Sequence, residues 1–145
     1  MTDIAAFPVI KQVVEHIGLS ITLTATTAVK GGQVVEIDAT GVSMAVNAAV
    51  AESGARPIGV AAFDADAGEL VTVYMTGSVV YVANADDTTG IDAGDLLVAN
   101  DNAVAGTVSA STTGVNAVIG IALEDIAGAG IGRMLVQPMS HDGGA

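Results

Sequence analysis

The residues best suited to chemistry in this chain are carboxylates. Asp64-Ala65-Asp66-Ala67-Gly68-Glu69 sets hard oxygen donors at alternate positions around a glycine, the way a calcium loop begins. The remaining ligand spacing and the distal bidentate glutamate of an EF-hand do not follow, so the expectation is a solvated acidic turn without metal. Asp86, Asp87, Asp92 and Asp95 form a second acidic cluster that reads the same way. Gly128-Ala129-Gly130-Ile131-Gly132-Arg133 has the glycine content of a phosphate cradle. It has neither dinucleotide-binding nor Walker spacing, and no helical pattern follows it, so it reads as a hairpin loop. The only histidines are His16 and His141. Ser140, His141 and Asp142 are the residue types of a hydrolytic triad, but neighbours in a terminal tail rarely converge in space. No nucleophile, base and acid stand together, so neither an enzyme nor a cofactor is expected.

The elements available to position such residues follow from composition. The chain has 145 residues, enough for one domain that buries about two-thirds of its surface. Half of it is hydrophobic, yet it holds two Tyr, two Phe and no Trp, so the core must be mostly Val, Ala, Ile and Leu, a composition suited to packed sheets. Sixteen acidic residues face four basic ones, Lys11, Lys30, Arg56 and Arg133, and the net charge is −12. That balance argues against nucleic acid and against an anionic membrane surface. There is no cysteine, hence no disulfide and no thiolate site. The N-terminus carries Asp3, Pro8 and Lys11 too early for a signal peptide, and no apolar run reaches the roughly 18 residues of a membrane span.

Residues 1–18 read as an N-terminal arm, 19–139 as one β-rich domain and 140–145 as a flexible tail. Val9, Val13 and Ile17 recur at helical spacing, whereas the β-branched content of Val9–Ile17 fits an extended arm that pairs with or drapes over a neighbour; the extended arm is the expectation. The stripe serves either an interface or a local core contact. Leu19–Ala25 alternates strictly, with Leu19, Ile21 and Leu23 as its apolar face. Gln33–Asp38 and Val42–Val46 read as extended, and Asn47–Ser53 as a short helix. In Arg56–Val82, three β-rich runs separated by Asp64–Gly68 and Gly77-Ser78 read as successive antiparallel strands. Further strands are expected around Leu96–Val98, Val104–Ser109, Ala117–Leu123 and Arg133–Gln137, with Pro138 stopping the last. The fold class is all-β, with at most one or two short helices.

The two halves echo each other. Gly32-Gln33-Val34-Val35 aligns with Gly94-Asp95-Leu96-Leu97, and Pro57-Ile58-Gly59-Val60-Ala61 with Val118-Ile119-Gly120-Ile121-Ala122. Asp64 and Asp66 align loosely with Glu124 and Asp125, Gly68 with Gly130, and Val73 with Leu135, at offsets of 61 or 62. Short, evenly spaced strands suggest a small barrel or sandwich. A glycine inside each of the aligned strands suggests a bend or a close backbone approach.

The ordered set Gly32–Asp38 (GQVVEID), Arg56–Ala61 (RPIGVA), Asp66–Val73 (DAGELVTV), Asp92–Leu97 (DAGDLL), Val118–Glu124 (VIGIALE) and Met134–Pro138 (MLVQP) resembles the capsid decoration, or cement, proteins of tailed viruses. The likeness covers about Ile21 to Pro138, most of the chain. It implies a small β-barrel or tulip-like domain on the outer surface of the virion. There it would bind the major capsid protein of an HK97-type icosahedral shell and sit as a homotrimer at three-fold and quasi-three-fold positions. It would bridge capsomers and stabilise the shell. The family brings no catalytic motif. The arm residues Phe7, Pro8, Val9, Ile10, Val13 and Val14, together with Arg56 and Arg133, are the expected capsid or subunit contacts. The competing reading is a tail, turret or vertex β-domain that binds a receptor or glycan, against which the scarcity of Tyr and Trp speaks.

Overall fold

In a computed structural model the described residues are 7–37, 45–48, 57–85, 88–100, 104–111 and 117–139. Eleven strands run in order: β1 (Val14–His16), β2 (Ser20–Ala25), β3 (Val34–Ile37), β4 (Ala45–Ala48), β5 (Pro57–Ala61), β6 (Leu70–Tyr74), β7 (Val79–Ala83), β8 (Leu96–Asn100), β9 (Thr107–Ala110), β10 (Val118–Ala122) and β11 (Ile131–Met139). The fold is all-β, and no helix occurs among the described residues. Strands β2-β4-β3-β5-β6 close into a barrel, and β1-β7-β11-β10-β8-β9 form a second, six-stranded sheet.

The second sheet repeats the barrel's wiring. The order β2-β6-β5-β3-β4 of the barrel recurs as β7-β11-β10-β8-β9. In the first unit Ala25 N–H donates to Glu69 C=O and Thr26 N–H to Val46 C=O; in the second, Asn84 donates to Gly130 and Ala85 to Val108. The bridge Val29–Ala65 has its counterpart in Ile91–Ile126, and the parallel pair Ala25–Val46 in the bridge Asn84–Val108. The register of β2 on β6 (Ser20 opposite Tyr74, Ile21 opposite Val73, Thr22 opposite Thr72) is that of β7 on β11 (Val79 opposite Leu135, Val80 opposite Met134, Tyr81 opposite Arg133).

The units share a core because β3 and β5 are buried on both faces. Val35 and Ala61 point into the barrel, while Val34 and Val60 pack with Val80, Val82, Ile119, Met134 and Val136 of the sheet. Strands covered on both sides read as unbroken apolar runs, which explains Val34-Val35 and Val60-Ala61. Gly59 and Gly120 occupy equivalent crossings: a methyl group on either would strike a backbone carbonyl, Tyr74 in the first unit and Leu135 in the second.

Several expectations change. The segment 9–13 has no regular secondary structure, bends at Lys11 and leads into β1, so Val9, Val13 and Ile17 do not form a helical stripe; Val13 is buried whereas Val9 and Ile17 are exposed. Asn47 and Ala48 belong to β4, not to a helix, because Val35 and Glu36 hold them in an antiparallel ladder; residues 49–53 lie outside the described set. β7 does not pair with β6. Gly77, at φ 86°, turns the chain out of the barrel and donates to Val136 C=O of the other sheet. β11 continues through Pro138 to Met139, because the β10–β11 register shifts between Val118 and Gly120 and a proline is tolerated at such an irregularity. Gly68 corresponds to Ala129 rather than Gly130, and Val73 to Met134 rather than Leu135. Gly68 and Ala129 each sit at positive φ in the equivalent turn, and Val73 and Met134 each face the last residue of the h-G-h-A strand, Ala61 and Ala122.

Candidate functional site: the N-terminal arm and its seat

Residues 7–13 lead into β1 without regular secondary structure, and β1 adds to β7 as an antiparallel edge strand, with Val14 opposite Val80 and His16 opposite Val79. Tyr81 N–H donates to Val13 C=O at 2.8 Å. The seat depends on missing side chains. Gly32 leaves the space that Ile10 fills, and a Cβ on Gly31 would stand 3.2 Å from a methyl of Val13. Gly18, where the arm enters β2, packs directly on the Gly77–Ser78 backbone and donates its N–H to Ser78 Oγ at 2.9 Å.

A charged clasp fixes the arm. Arg133 holds Glu124 through Nε at 2.9 Å and through Nη2 at 3.0 Å, and its backbone N–H adds a third bond to the same carboxylate at 2.8 Å. Its Nη1 reaches Glu15 of β1 at 3.3 Å, and Tyr81 Oη donates to the same Glu15 oxygen at 3.3 Å. The Arg133 side-chain and backbone hydrogen bonds hold the Glu124 carboxyl below the usual carboxylate range, and Glu124 in turn keeps the guanidinium charged. The clasp is partly exposed, so it orients the arm more than it stabilises the fold.

Two recesses flank the arm. The larger, about 400 Å³, is lined by Glu15, His16, Val79, Leu123 and Arg133. The smaller, about 90 Å³, lies between Phe7–Ile10 and Lys30, Gly31 and Asp64. The arm therefore shares a recess with Asp64 of one unit's acidic turn and is joined through Arg133 to Glu124 in the equivalent turn of the other.

The residues expected to form contacts are distributed unevenly. Val13 is buried in this chain's own core, Ile10 and Val14 are half-buried against it, Phe7 and Pro8 are half-buried, and Val9 is 83% exposed. Arg133 is engaged within the chain, and Arg56 lies outside the described residues. The acidic turns serve the backbone. Asp64 accepts from Gly31 N–H and Asp125 from Ala93 N–H, each at 2.8 Å, while Glu69 caps Asp66 N–H and Asp95 caps Asp92 N–H. Among the described residues no group of three His, Asp or Glu side chains could hold a metal ion. Asp86, Asp87, Ser140, His141 and Asp142 lie outside them. Glu124 stands in the sequence only as an acidic-turn residue, and nothing in the sequence joins it with Glu15 and Tyr81. The available signal was Arg133 itself, one of two arginines in a chain of sixteen acids.

The chain matches the phage cement protein family over residues 14–138 and belongs to it. The match begins at β1 and spans both units; residues 1–13 lie outside it. Among solved structures, the N base of the head fiber gp8.5 of bacteriophage phi29 is similar, with a TM-score of 0.58 and 21% identity, over 82% of this chain and 93% of that one. At that identity the likeness is one of fold. No curated protein sequence matches the chain.

Proposed function

We propose that this protein is a non-enzymatic decoration protein of the outer surface of a tailed-virus capsid. It binds the major capsid protein of an HK97-type shell as a homotrimer at three-fold and quasi-three-fold positions. Residues 19–139 form the body, and the arm supplies part of the contact through Phe7, Pro8 and the exposed Val9. Each copy bridges neighbouring capsomers, so opening the shell must also break these contacts. Many modest contacts repeated over the lattice add up through multivalency. The acidic surface faces solvent and keeps unassembled copies apart.

The family match over β1 and both units carries this reading. The copy number of the chain relative to the major capsid protein in purified virions tests it. A near-equimolar ratio is the expected result. A few copies per hundred capsid subunits would move the protein to vertices or tail and favour a receptor- or glycan-binding module. Absence from virions would overturn both.

A further inference from the structure

The arm is joined covalently to the body only through Ile17 and Gly18, and that link crosses a second one. By the shared register, in which Ser20 of β2 corresponds to Val79 of β7, Gly18 corresponds to Gly77. The two glycines pack on each other, and a Cβ on Gly18 would strike the Gly77–Ser78 backbone. The links differ in what fixes them. Gly77 turns the β6–β7 passage at φ 86°, in the left-handed region, whereas Gly18 lies outside that region. The β1–β2 passage therefore bends without a left-handed residue to lock it. The sequence favours a straight chain there. Ile17, Leu19, Ile21, Leu23 and Ala25 alternate with Gly18, Ser20, Thr22 and Thr24 as in one uninterrupted strand. The structure instead breaks between β1 and β2, and Ile17 and Leu19, the apolar residues at the break, are 55% and 59% exposed.

We propose that assembled copies exchange arms: residues 7–16 of one copy seat on β7 of a second copy of this chain, with the link pivoting at Ile17 and Gly18. This rests on the homotrimer reading above and names the segment that joins the copies. The seat is indifferent to the source of the arm. Ile10 over Gly32, Val13 C=O on Tyr81 N–H and Glu15 on Arg133 are the same contacts whichever copy provides them. The link gives up the bond from Gly18 N–H to Ser78 Oγ, while Leu19 keeps its bonds to Met75 and Thr76. In return the alternation of β2 runs on through Gly18, and Ile17 lies between two copies instead of in solvent. Loss of freedom on association opposes exchange. Copies already side by side on the shell meet at high effective concentration, which offsets that loss. A lone copy therefore keeps its own arm, and an assembled one passes it on. A copy tied in this way leaves the shell only by unseating its neighbour's arm.

The chain has no cysteine, so an engineered disulfide reports which copy supplies the arm. His16 and Val79 stand opposite each other on β1 and β7 and line the same recess, a spacing that a disulfide can close. Full-length protein carrying His16→Cys and Val79→Cys is bound to purified undecorated shells, oxidised and separated under denaturing conditions without reductant. Covalent trimers are the expected product, because each arm closes onto the next copy around a ring. Monomers with an internal disulfide, recovered from decorated shells, would overturn the exchange and leave the capsid reading standing. If the wild type binds no shells, the capsid reading falls, and the exchange falls with it. Should the double variant fail to fold, a mixture of His16→Cys chains and Val79→Cys chains decides. The His16→Cys to Val79→Cys disulfide between those chains forms only across copies, and its absence on decorated shells would overturn the exchange.

Discussion

The barrel and the second sheet have one backbone and two surfaces. Their turns agree bond for bond: Gly32 N–H to Ala61 C=O and Gly94 N–H to Ala122 C=O, Ala61 N–H to Gln33 C=O and Ala122 N–H to Asp95 C=O. Even the carboxylate that caps the turn keeps its place, Asp64 in one unit and Asp125 in the other, so Asp64 corresponds to Asp125 and not to Glu124 as the sequence alignment has it. At the outer edge the side chains part company. The second unit presents Tyr81, Glu124 and Arg133 and holds the arm, whereas the first presents Thr22, Phe63 and Thr72, and among the described residues nothing pairs with its edge at Ser20–Thr22. A turn whose backbone groups are bonded to fixed partners admits few sequences, while an edge needs only a ladder and is free to acquire different partners.

The largest effects should come where the units agree. Gly59→Ala and Gly120→Ala each place a methyl group against a carbonyl of the neighbouring strand, Tyr74 or Leu135, and backbone on a packed core moves little. Each should lower the unfolding free energy by about 3 kcal/mol, read from the guanidinium midpoint. A large cost at one glycine with none at the other would break the equivalence of the two crossings.

The glycine turns offer a smaller and opposite-signed test. Gly68 and Ala129 occupy the same turn position at φ 88° and 56°, so one unit uses the residue suited to that region and the other does not. No atom lies within 4 Å of a Cβ built on Gly68, so Gly68→Ala probes the backbone alone and should cost about 1 kcal/mol. Ala129→Gly should relieve the same strain, less the added freedom of the unfolded chain, for a net gain of about 0.5 kcal/mol. Stabilisation by Gly68→Ala would sink this account of the turn.

Much of this was legible in the sequence and some was not, for physical reasons. Strands such as β5 and β10 announce themselves because double burial leaves an apolar run around one glycine, and that glycine marks a close crossing. The h-G-h-A pattern survives alignment for the same reason. The Gly68–Gly130 match misleads because composition favours pairing glycine with glycine, whereas the conformation at that position is carried by Ala129. The departure of β7 from β6 is hidden, since Met75-Thr76-Gly77-Ser78 has the composition of an ordinary hairpin turn and only the bond from Gly77 to Val136 shows where the chain goes. Leu19 and Ile21 alternate as core residues do, and nothing local records that both stay partly exposed. The arm clasp was out of reach for another reason: Glu15, Tyr81, Glu124 and Arg133 come from four elements, and ion pairs leave no periodicity.

The smallest effect separates the units at the clasp. The Glu124 carboxyl titrates below its usual value near 4.5 because the Arg133 side chain, and then the Arg133 backbone N–H, bind the ionised form. A depressed folded-state value contributes stability that is fully present above the unfolded value and is lost as pH falls through the folded one. Glu124→Gln should therefore be slightly less stable than the wild type at pH 7, and the gap should close as pH drops below about 4.5. Amide exchange at Tyr81, which reports release of β1, should rise in Glu124→Gln and in wild type at high salt, because exposed ion pairs are screened. Exchange at Thr22 in the same samples should change with neither. A parallel rise at both amides would mean that the arm clasp governs the whole protein rather than one edge of one unit.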